Sequence, residues 1–375
     1  MPWRNRRIGG AAAALAAVLV GYLLLRDAQA FARGVSNGLR LCAGVIVPSL
    51  FPFMALTQFV CISRVSAVIS KPLRPLTKRV LNLPARSGSA VLMSFIGGYP
   101  AAAVMIGRMV KSGVLSRRTA GRMLCFCVNA GPSFLIGALG AGMLGSAKAG
   151  VLLYASQLLS ALVIGFALSF TEKRGADDEP DAAVGEAYSR AFVRAVTDSA
   201  QAVISMCAFV LIFSSALEFL RGSGLVWAAG DIICRIVPVG RERLSAFFTG
   251  IVEVTAGSSA MSSCCSLPGI AFVTSFGSIS VMFQISGQLA GSGVPLGGFA
   301  ASRVLHGALS AAVCALLLRL FPEAAVCSAP GKAVLSSASA LGSAALLISS
   351  AVFLLTVGGR TAPKYGAYNS KGVYK

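Results

Sequence analysis

The sequence predicts an all-α protein that crosses a membrane many times, and three observations lead to this prediction. Apolar residues make up 56% of the 375 residues and charged residues only 12%, about half the charged share of a soluble domain. The apolar residues are concentrated in windows of about 20 residues, the length that spans a bilayer as a helix. Glycine is abundant, with 41 residues, which suits close packing of helices in lipid.

Ten apolar windows follow one another along the chain. They cover residues 8–25, 41–62, 88–107, 119–144, 148–170, 199–220, 244–263, 269–289, 299–320 and 333–357. The first window follows several arginines and precedes Ala28-Gln29-Ala30, which resembles a signal-peptidase site. Because this window is longer than the apolar core of a usual signal peptide, we predict that it is retained as the first helix. A cleaved signal is the alternative.

The positive charge of the chain lies in the loops between the windows. A net charge of +20 is typical of some nucleic-acid-binding proteins, but basic loops are what the positive-inside rule requires of a membrane protein. We therefore predict the lipid bilayer as the surroundings and no nucleic-acid partner. An affinity for acidic small molecules is left open.

Motifs of enzymes and metal sites are absent from the sequence. The ten cysteines show no C-x-x-C spacing, so a zinc site or a disulfide framework is not expected. A phosphate-binding loop, a nucleophile elbow and a zinc-protease motif are also missing. We predict no enzyme activity, no metal and no cofactor.

The charges on both sides of the third window indicate that it does not cross the membrane. The loops before and after it, 64–86 and 108–122, carry basic but no acidic residues, so both flanks are predicted to be cytoplasmic. Gly97-Gly98-Tyr99-Pro100 would break a helix inside this window. We therefore predict a re-entrant hairpin over 88–107, with Gly98–Pro100 beside a pocket, because broken backbone at that depth must be buried or wet.

Interruptions also occur in the fourth, seventh and eighth windows. The seventh contains Glu253-Val254-Thr255-Ala256-Gly257-Ser258-Ser259, which is too polar for a helix that faces lipid. The eighth contains Phe276-Gly277-Ser278-Ile279-Ser280, and its counterpart in the fourth is Asn129-Ala130-Gly131-Pro132-Ser133. Each half of the chain thus consists of a helix, two interrupted segments and another helix, which predicts two related halves.

The predicted topology follows if the third and seventh windows are both re-entrant. With the N-terminus inside, the chain then makes about eight full crossings plus two re-entrant hairpins. Its halves have opposite orientations, as in many secondary transporters. The predicted parts are an N-terminal helix and loop (1–40), a first repeat (41–171), an acidic cytoplasmic linker (172–198), a second repeat (199–321) and a C-terminal helix with a basic tail (322–375).

Helices interrupted at matching positions in two halves indicate a binding site near the middle of the membrane. Half-helix N-termini offer N–H groups to carboxylates and phosphates, and half-helix C-termini offer carbonyl groups to cations. We expect the four interrupted segments to converge, and Na⁺ or H⁺ is left open as a coupling ion. The predicted substrate-binding residues are Gly98, Tyr99, Pro100, Asn129, Gly131, Ser133, Glu253, Thr255, Gly257, Ser258, Ser259, Gly277, Ser278 and Gln284.

Some polar residues allow more than one interpretation. A carboxylate at membrane depth is costly and usually functional, so for Glu253 we favour binding of a cation, proton or substrate over capping of broken backbone. For Asn129 the sequence supports the functional and the capping interpretations equally. His306, the only histidine, is predicted to be packed rather than to relay protons. Arg303 and Arg319, near the ends of their window, are predicted to extend toward the membrane surface.

The interrupted segments resemble motifs of the sporulation integral membrane protein YlbJ family, also called SpoVV. The similarity extends over about 41–320 and keeps the order of the motifs. Ser278 stands where a second glycine is common in that family. The similar segments are Pro48-Ser49-Leu50-Phe51-Pro52-Phe53, Gly97-Gly98-Tyr99-Pro100, Asn129-Ala130-Gly131-Pro132-Ser133-Phe134, Glu253-Val254-Thr255-Ala256-Gly257 and Phe276-Gly277-Ser278-Ile279-Ser280-Val281-Met282-Phe283-Gln284.

This resemblance implies a Gate-type fold of the nucleoside-recognition group, which is similar to concentrative nucleoside transporters. The implied function is transport of dipicolinic acid from mother cell to forespore across the outer forespore membrane. A nucleoside or other metabolite permease of the same architecture is one alternative. A membrane assembly factor of sporulation that transports nothing is another. The expected location is the bacterial cell membrane or the outer forespore membrane, and assembly into a homo-oligomer is left open.

Overall fold

The computed structural model describes residues 14, 15, 18, 20–171, 186–224 and 240–325, which form helices with no β-strand among them. Within these ranges, five helices are long and apolar enough to cross a membrane. The predicted class, an all-α polytopic membrane protein, is therefore confirmed. The window 333–357 and half of the window 8–25 lie outside the described residues. The five long helices are Ala28–Ile62, Ala147–Ser169, Tyr188–Gly222, Leu267–Gln288 and Gly297–Leu320.

The helices of the first half are short except at its two ends. They are α1 (Ala28–Leu41), α2 (Val47–Ile62), α3 (Val65–Arg74), α4 (Ser87–Gly97), α5 (Tyr99–Lys111), α6 (Arg117–Cys127) and α7 (Ala147–Ser169), with π-helical segments at Cys42–Ile46, Pro75–Val80 and Ser133–Met143. The first π-helical segment joins α1 to α2 without a break. The third follows α6 after a short non-helical stretch.

The second half repeats this arrangement of long outer and short inner helices. Its elements are α8 (Tyr188–Gly222), α9 (Arg241–Val252), α10 (Val254–Met261), α11 (Leu267–Phe276), α12 (Ser278–Gln288) and α13 (Gly297–Leu320), followed by a 3₁₀ turn at Pro322–Ala325. Single residues separate α9 from α10 and α11 from α12. A single residue likewise separates α4 from α5 in the first half.

The continuous helix α1–α2 and helix α8 form an antiparallel pair. Each is 35 residues long, which corresponds to about 52 Å. A Cβ on Gly34 would overlap the backbone of Ser215, and the Cys42 Sγ lies 3.9 Å from the Cys207 carbonyl oxygen. Small residues at these contacts let the two helices approach closely, as is usual in membrane proteins.

Helices α4 and α5 fold back on each other at Gly98. This residue has φ +81° and ψ −179°, a conformation that is essentially restricted to glycine. The end of α5 lies beside the end of α2, where the Met105 Sδ is 3.0 Å from the Cys61 Sγ. There Arg108 also donates a hydrogen bond of 2.9 Å to the Gln58 Oε1. The start of α4 lies beside α3, the helix that follows α2, because the Ser89 N–H donates a hydrogen bond of 3.0 Å to the Ser70 Oγ.

Helices α9 and α10 form a tighter hairpin at Glu253. A Cβ on Gly257 would overlap the Cα of Gly250. In a continuous helix these two glycines would be two turns, roughly 10 Å, apart. Gly257, which we predicted to bind substrate, therefore serves as the contact between the two arms of the hairpin.

Helix α8 begins earlier than the sequence predicted. It starts at Tyr188, inside the predicted linker 172–198, so Asp198 lies in a helix and forms an ion pair with Arg108 of α5. Small residues such as Ala191 and Ala195 are buried on one face of this extension, and their packing stabilises it despite its charged opposite face. Residues 172–185 lie outside the described residues.

Candidate functional site at the helix breaks

The four interrupted segments meet at one small internal cavity, called the inner cavity below. Its volume is about 30 Å³, the share of liquid volume that one water molecule occupies. Its wall contains predicted residues from all four segments and apolar residues of the long helices. The predicted residues are Gly98, Tyr99, Gly131, Glu253, Thr255 and Gln284, and the apolar residues include Ile46, Leu50, Phe134, Met206 and Val210.

Close backbone contacts and one tyrosine join the breaks. A Cβ on Gly131 would lie 2.9 Å from the Ile96 carbonyl oxygen, so glycine allows the first two breaks to touch. Tyr99 reaches from the first half into the second, where its hydroxyl donates a hydrogen bond to the Thr274 carbonyl oxygen. Its ring also lies 3.5 Å from where a Cβ on Gly277 would be. Tyr99 thereby ties the first hairpin to the break between α11 and α12.

Glu253 caps the N-terminus of α10. Its Oε1 accepts a hydrogen bond of 3.0 Å from the Thr255 N–H, and its Oε2 accepts one of 2.6 Å from the Ala256 N–H. The residue is 1% exposed. Both carboxylate oxygens are thus used on N–H groups that the break leaves free. These contacts are the ones expected of the capping role, which we ranked below a functional role from the sequence.

Gln157 completes the break after α6, although the sequence analysis did not select it. Its Oε1 accepts a hydrogen bond of 3.1 Å from the Ala130 N–H, and its Nε2 donates one of 2.9 Å to the Ala130 carbonyl oxygen. A side-chain amide has both an acceptor and a donor, so one residue of α7 satisfies both backbone groups. The available signal was the only side-chain amide within its apolar window.

Arg303 of α13 binds carbonyl groups at breaks in both halves, and the prediction that it extends toward the membrane surface is wrong. Its Nη1 donates to the Val128 carbonyl oxygen at 2.7 Å and to that of Ser275 at 3.5 Å. Its Nη2 donates to the Cys125 carbonyl oxygen. The carbonyl groups at the ends of α6 and α11 carry partial negative charge and need donors. Hydrogen bonds to these carbonyl groups stabilise the guanidinium inside the protein, where Arg303 is 1% exposed.

His306 is packed, as predicted. It is fully buried, and its Nε2 lies 3.1 Å from the Gln157 carbonyl oxygen. Asn129 uses its Nδ2 to cap the end of α6, donating a hydrogen bond of 2.7 Å to the Phe126 carbonyl oxygen. This bond agrees with the capping interpretation, but it leaves the Asn129 Oδ1 free, as described next.

Several buried polar atoms near the breaks have no hydrogen-bond partner in the described part of the chain. They are the Asn129 Oδ1, the Ser133 Oγ, the Ser258 Oγ and the Gln284 Oε1. A buried polar group without a partner is costly. These atoms are therefore acceptors and hydroxyl groups that a bound molecule could satisfy.

The other predicted residues do not line the inner cavity. Pro100 follows Tyr99 in α5, and Ser278 follows Gly277 at the start of α12. Ser259 lines a second, larger cavity on the far side of α10. Within the described ranges, no group of three His, Cys, Asp or Glu residues is placed to hold a metal ion.

Gly277 and Ser278 both adopt the left-handed backbone conformation. Their φ angles are +85° and +68°, and this conformation costs a residue with a side chain about 1–2 kcal/mol. The Ser278 Oγ offsets part of the cost because it accepts a hydrogen bond of 3.3 Å from the Val281 N–H. The glycine expected here from the resemblance would avoid the strain but would lose this cap.

Comparison with known proteins agrees with the resemblance of the motifs. The chain is 25% identical, over 319 residues, to the sporulation integral membrane protein YlbJ of Bacillus subtilis (strain 168), and the match covers 77% of this chain and 78% of that protein. No family model matches the chain, and no solved structure matches it. The predicted similarity to the YlbJ family is therefore confirmed.

Proposed function

We propose that this protein, a membrane protein similar to YlbJ, is a sporulation transporter that moves dipicolinic acid from mother cell to forespore across the outer forespore membrane. The observation that carries this proposal is the convergence of helix breaks from both halves on one buried cavity. Broken helices are tolerated at membrane depth where they line a cavity, and in transporters they form the substrate site. The name of the YlbJ relative supplies the context of sporulation.

Matching helix lengths support two inverted Gate-type repeats, with about eight crossings and two re-entrant hairpins. Helix α1–α2 corresponds to α8, the two have equal length, and they run antiparallel. Helix α7, with 23 residues, corresponds to α13, with 24. The α4–α5 hairpin corresponds to the α9–α10 hairpin. Equal elements in the same order and in opposite orientation are what an inverted duplication produces.

The chemistry around the inner cavity favours a small anion with an apolar body. The N-termini of α5 and α10 line this cavity, the N-terminus of α12 lies beside it, and each carries a partial positive charge. Glu253 already occupies the N-terminus of α10, so the N-termini of α5 and α12 remain for the substrate. Tyr99 and Phe134 supply aromatic surface in the wall. A dicarboxylate with an aromatic ring fits this combination.

The inner cavity must widen before a metabolite can bind. A volume of about 30 Å³ is far below the roughly 300–1,000 Å³ of ordinary small-molecule sites. The described conformation is therefore a closed one. Alternating access by movement of one repeat against the other would open the cavity.

Uptake by the purified protein in lipid vesicles tests the proposal. We expect labelled dipicolinate to accumulate in vesicles that contain the protein and not in protein-free vesicles, whereas labelled nucleosides should not accumulate. Uptake of nucleosides alone would favour the nucleoside-type permease of the same architecture. Uptake of neither compound by correctly inserted protein would favour the assembly factor.

Cysteine labelling tests the proposed topology. The loops 64–86 and 108–122 are expected on one side, and Arg122 donates a hydrogen bond to the Asn82 carbonyl oxygen between these two ranges. Arg79→Cys and Ser112→Cys, each introduced at an exposed position after replacement of the ten native cysteines, should react with a membrane-impermeant reagent from the same face. Labelling from opposite faces would show that 88–107 crosses the membrane fully.

A further inference from the structure

A second cavity, the outer cavity, lies next to the inner one and has a volume of about 410 Å³. This volume falls within the range of small-molecule sites. Helix α10 separates the two cavities, because Ala256 and Ser259 line the outer one whereas Val254 and Thr255 line the inner one. The remaining wall comes from the end of α1 and the end of α8.

Two arginines with different surroundings line the outer cavity. Arg40 of α1 has a weak hydrogen bond of 3.4 Å to the Ser36 Oγ and makes no ion pair within the described residues. Arg221 of α8 donates 3.3 Å to the Glu218 Oε1 and 3.0 Å to the Thr249 Oγ1. Among the described residues, Arg40 thus has no carboxylate partner and Arg221 has one, Glu218.

A buried hydroxyl group in the same wall also has no partner. Ser214 is 4% exposed, and its Oγ has no hydrogen-bond partner in the described part of the chain. Buried hydroxyl groups are normally satisfied. A ligand in the outer cavity would satisfy this one.

The outer cavity lies where the uncharged stretches of two long helices end. No charged residue occurs from Leu41 to Ile62 in α1–α2 or from Ser199 to Leu217 in α8. Leu41 and Leu217 both line the outer cavity. The outer cavity therefore lies between the water on this side of the protein and the inner cavity behind α10.

We propose that the outer cavity is a carboxylate-binding site in which Arg40 and Arg221 hold a small anion as it passes between the inner cavity and the water on the far side of α10. A guanidinium group binds a carboxylate through two parallel hydrogen bonds. Glu218 competes with the anion for Arg221 and holds that side chain when the cavity is empty. The inference rests on the proposed transport function and adds a second binding site for the same anionic substrate.

Arg40→Gln is expected to raise the KM for dipicolinate uptake roughly two- to fivefold, the effect of losing one exposed ion pair, with little change in the maximal rate. Arg33→Gln is the matched control, because Arg33 is an exposed arginine of the same helix outside the cavity wall. This control should leave KM unchanged. Glu218→Gln frees Arg221 and should lower KM. Inorganic phosphate should compete only weakly with dipicolinate.

The outcomes separate this inference from the proposed function. Equal KM values for Arg40→Gln and Arg33→Gln, with uptake intact, would contradict anion binding in the outer cavity. They would leave the proposed transport function standing. Competition by phosphate as strong as that by unlabelled dipicolinate would overturn the carboxylate assignment. If the wild-type protein takes up nothing, the transport proposal fails. Calorimetry with dipicolinate and the purified protein then tests whether the outer cavity binds the anion. Weaker binding to Arg40→Gln than to Arg33→Gln would support the site, and equal binding or none would overturn it.

Discussion

Arg303→Met should sharply reduce the amount of folded protein in the membrane and, with it, all transport. Methionine keeps an unbranched, flexible stem but donates no hydrogen bond, so it leaves the carbonyl groups of Cys125, Val128 and Ser275 without their donor. Each buried carbonyl group left without a donor costs about 1–3 kcal/mol. The sum is comparable to the roughly 5–15 kcal/mol by which an ordinary domain is stable. Accumulation in membranes and the thermal unfolding temperature of the purified protein measure the effect.

Two further substitutions make this test specific. Arg319→Met removes an exposed arginine at the other end of α13 and should change neither accumulation nor unfolding temperature. Arg303→Lys keeps the positive charge, but its single ammonium group cannot reproduce the fork that reaches carbonyl groups of two helices. It should therefore be intermediate. Equal stability of Arg303→Met and Arg319→Met would show that the contacts of Arg303 contribute little.

The apolar parts of the long helices could be predicted from the sequence, but their full lengths could not. Hydropathy detects the part of a helix that faces lipid or the core. The α1 segment carries Arg33 and Arg40, and the start of α8 carries Arg194 and Asp198, so neither extension belongs to an apolar window. The α1 segment packs closely on the end of α8 through small residues such as Gly34. The start of α8 packs on the end of α2, where Phe59 contacts Tyr188 and Phe192.

The positions of the breaks could also be predicted, because glycine and proline are local signals. The positive φ of Gly98 and the tight contact of Gly131 are direct consequences of having no side chain. The partners of the broken backbone could not be predicted in the same way. Gln157 and Arg303 lie on α7 and α13, far along the chain from the groups that they bind. A polar residue in an apolar window does not indicate which freed carbonyl or N–H group it will meet.

Glu253→Gln should preserve most of the transport rate, and Glu253→Ala should abolish it. In the structure both oxygens of Glu253 accept hydrogen bonds at the start of α10. Glutamine has one oxygen acceptor, so it retains one of these bonds. Loss of the second bond and of the charge at a helix N-terminus costs about 1–2 kcal/mol together. Alanine retains neither bond, so the hairpin of α9 and α10, which separates the two cavities, loses its cap.

Initial uptake rates of dipicolinate at two pH values, with protein amounts matched, decide whether the cap or the charge of Glu253 matters. If Glu253 acts only as a helix cap, the uptake rate of Glu253→Gln should depend on pH as that of the wild-type protein does. Its apparent affinity should be equal or higher, because a negative charge in the wall repels an anionic substrate. If Glu253→Gln accumulates normally yet is as inactive as Glu253→Ala, the negative charge itself is required. Glu253 would then bind a coupling cation or carry a proton, and the capping contacts would be the resting arrangement of a functional carboxylate.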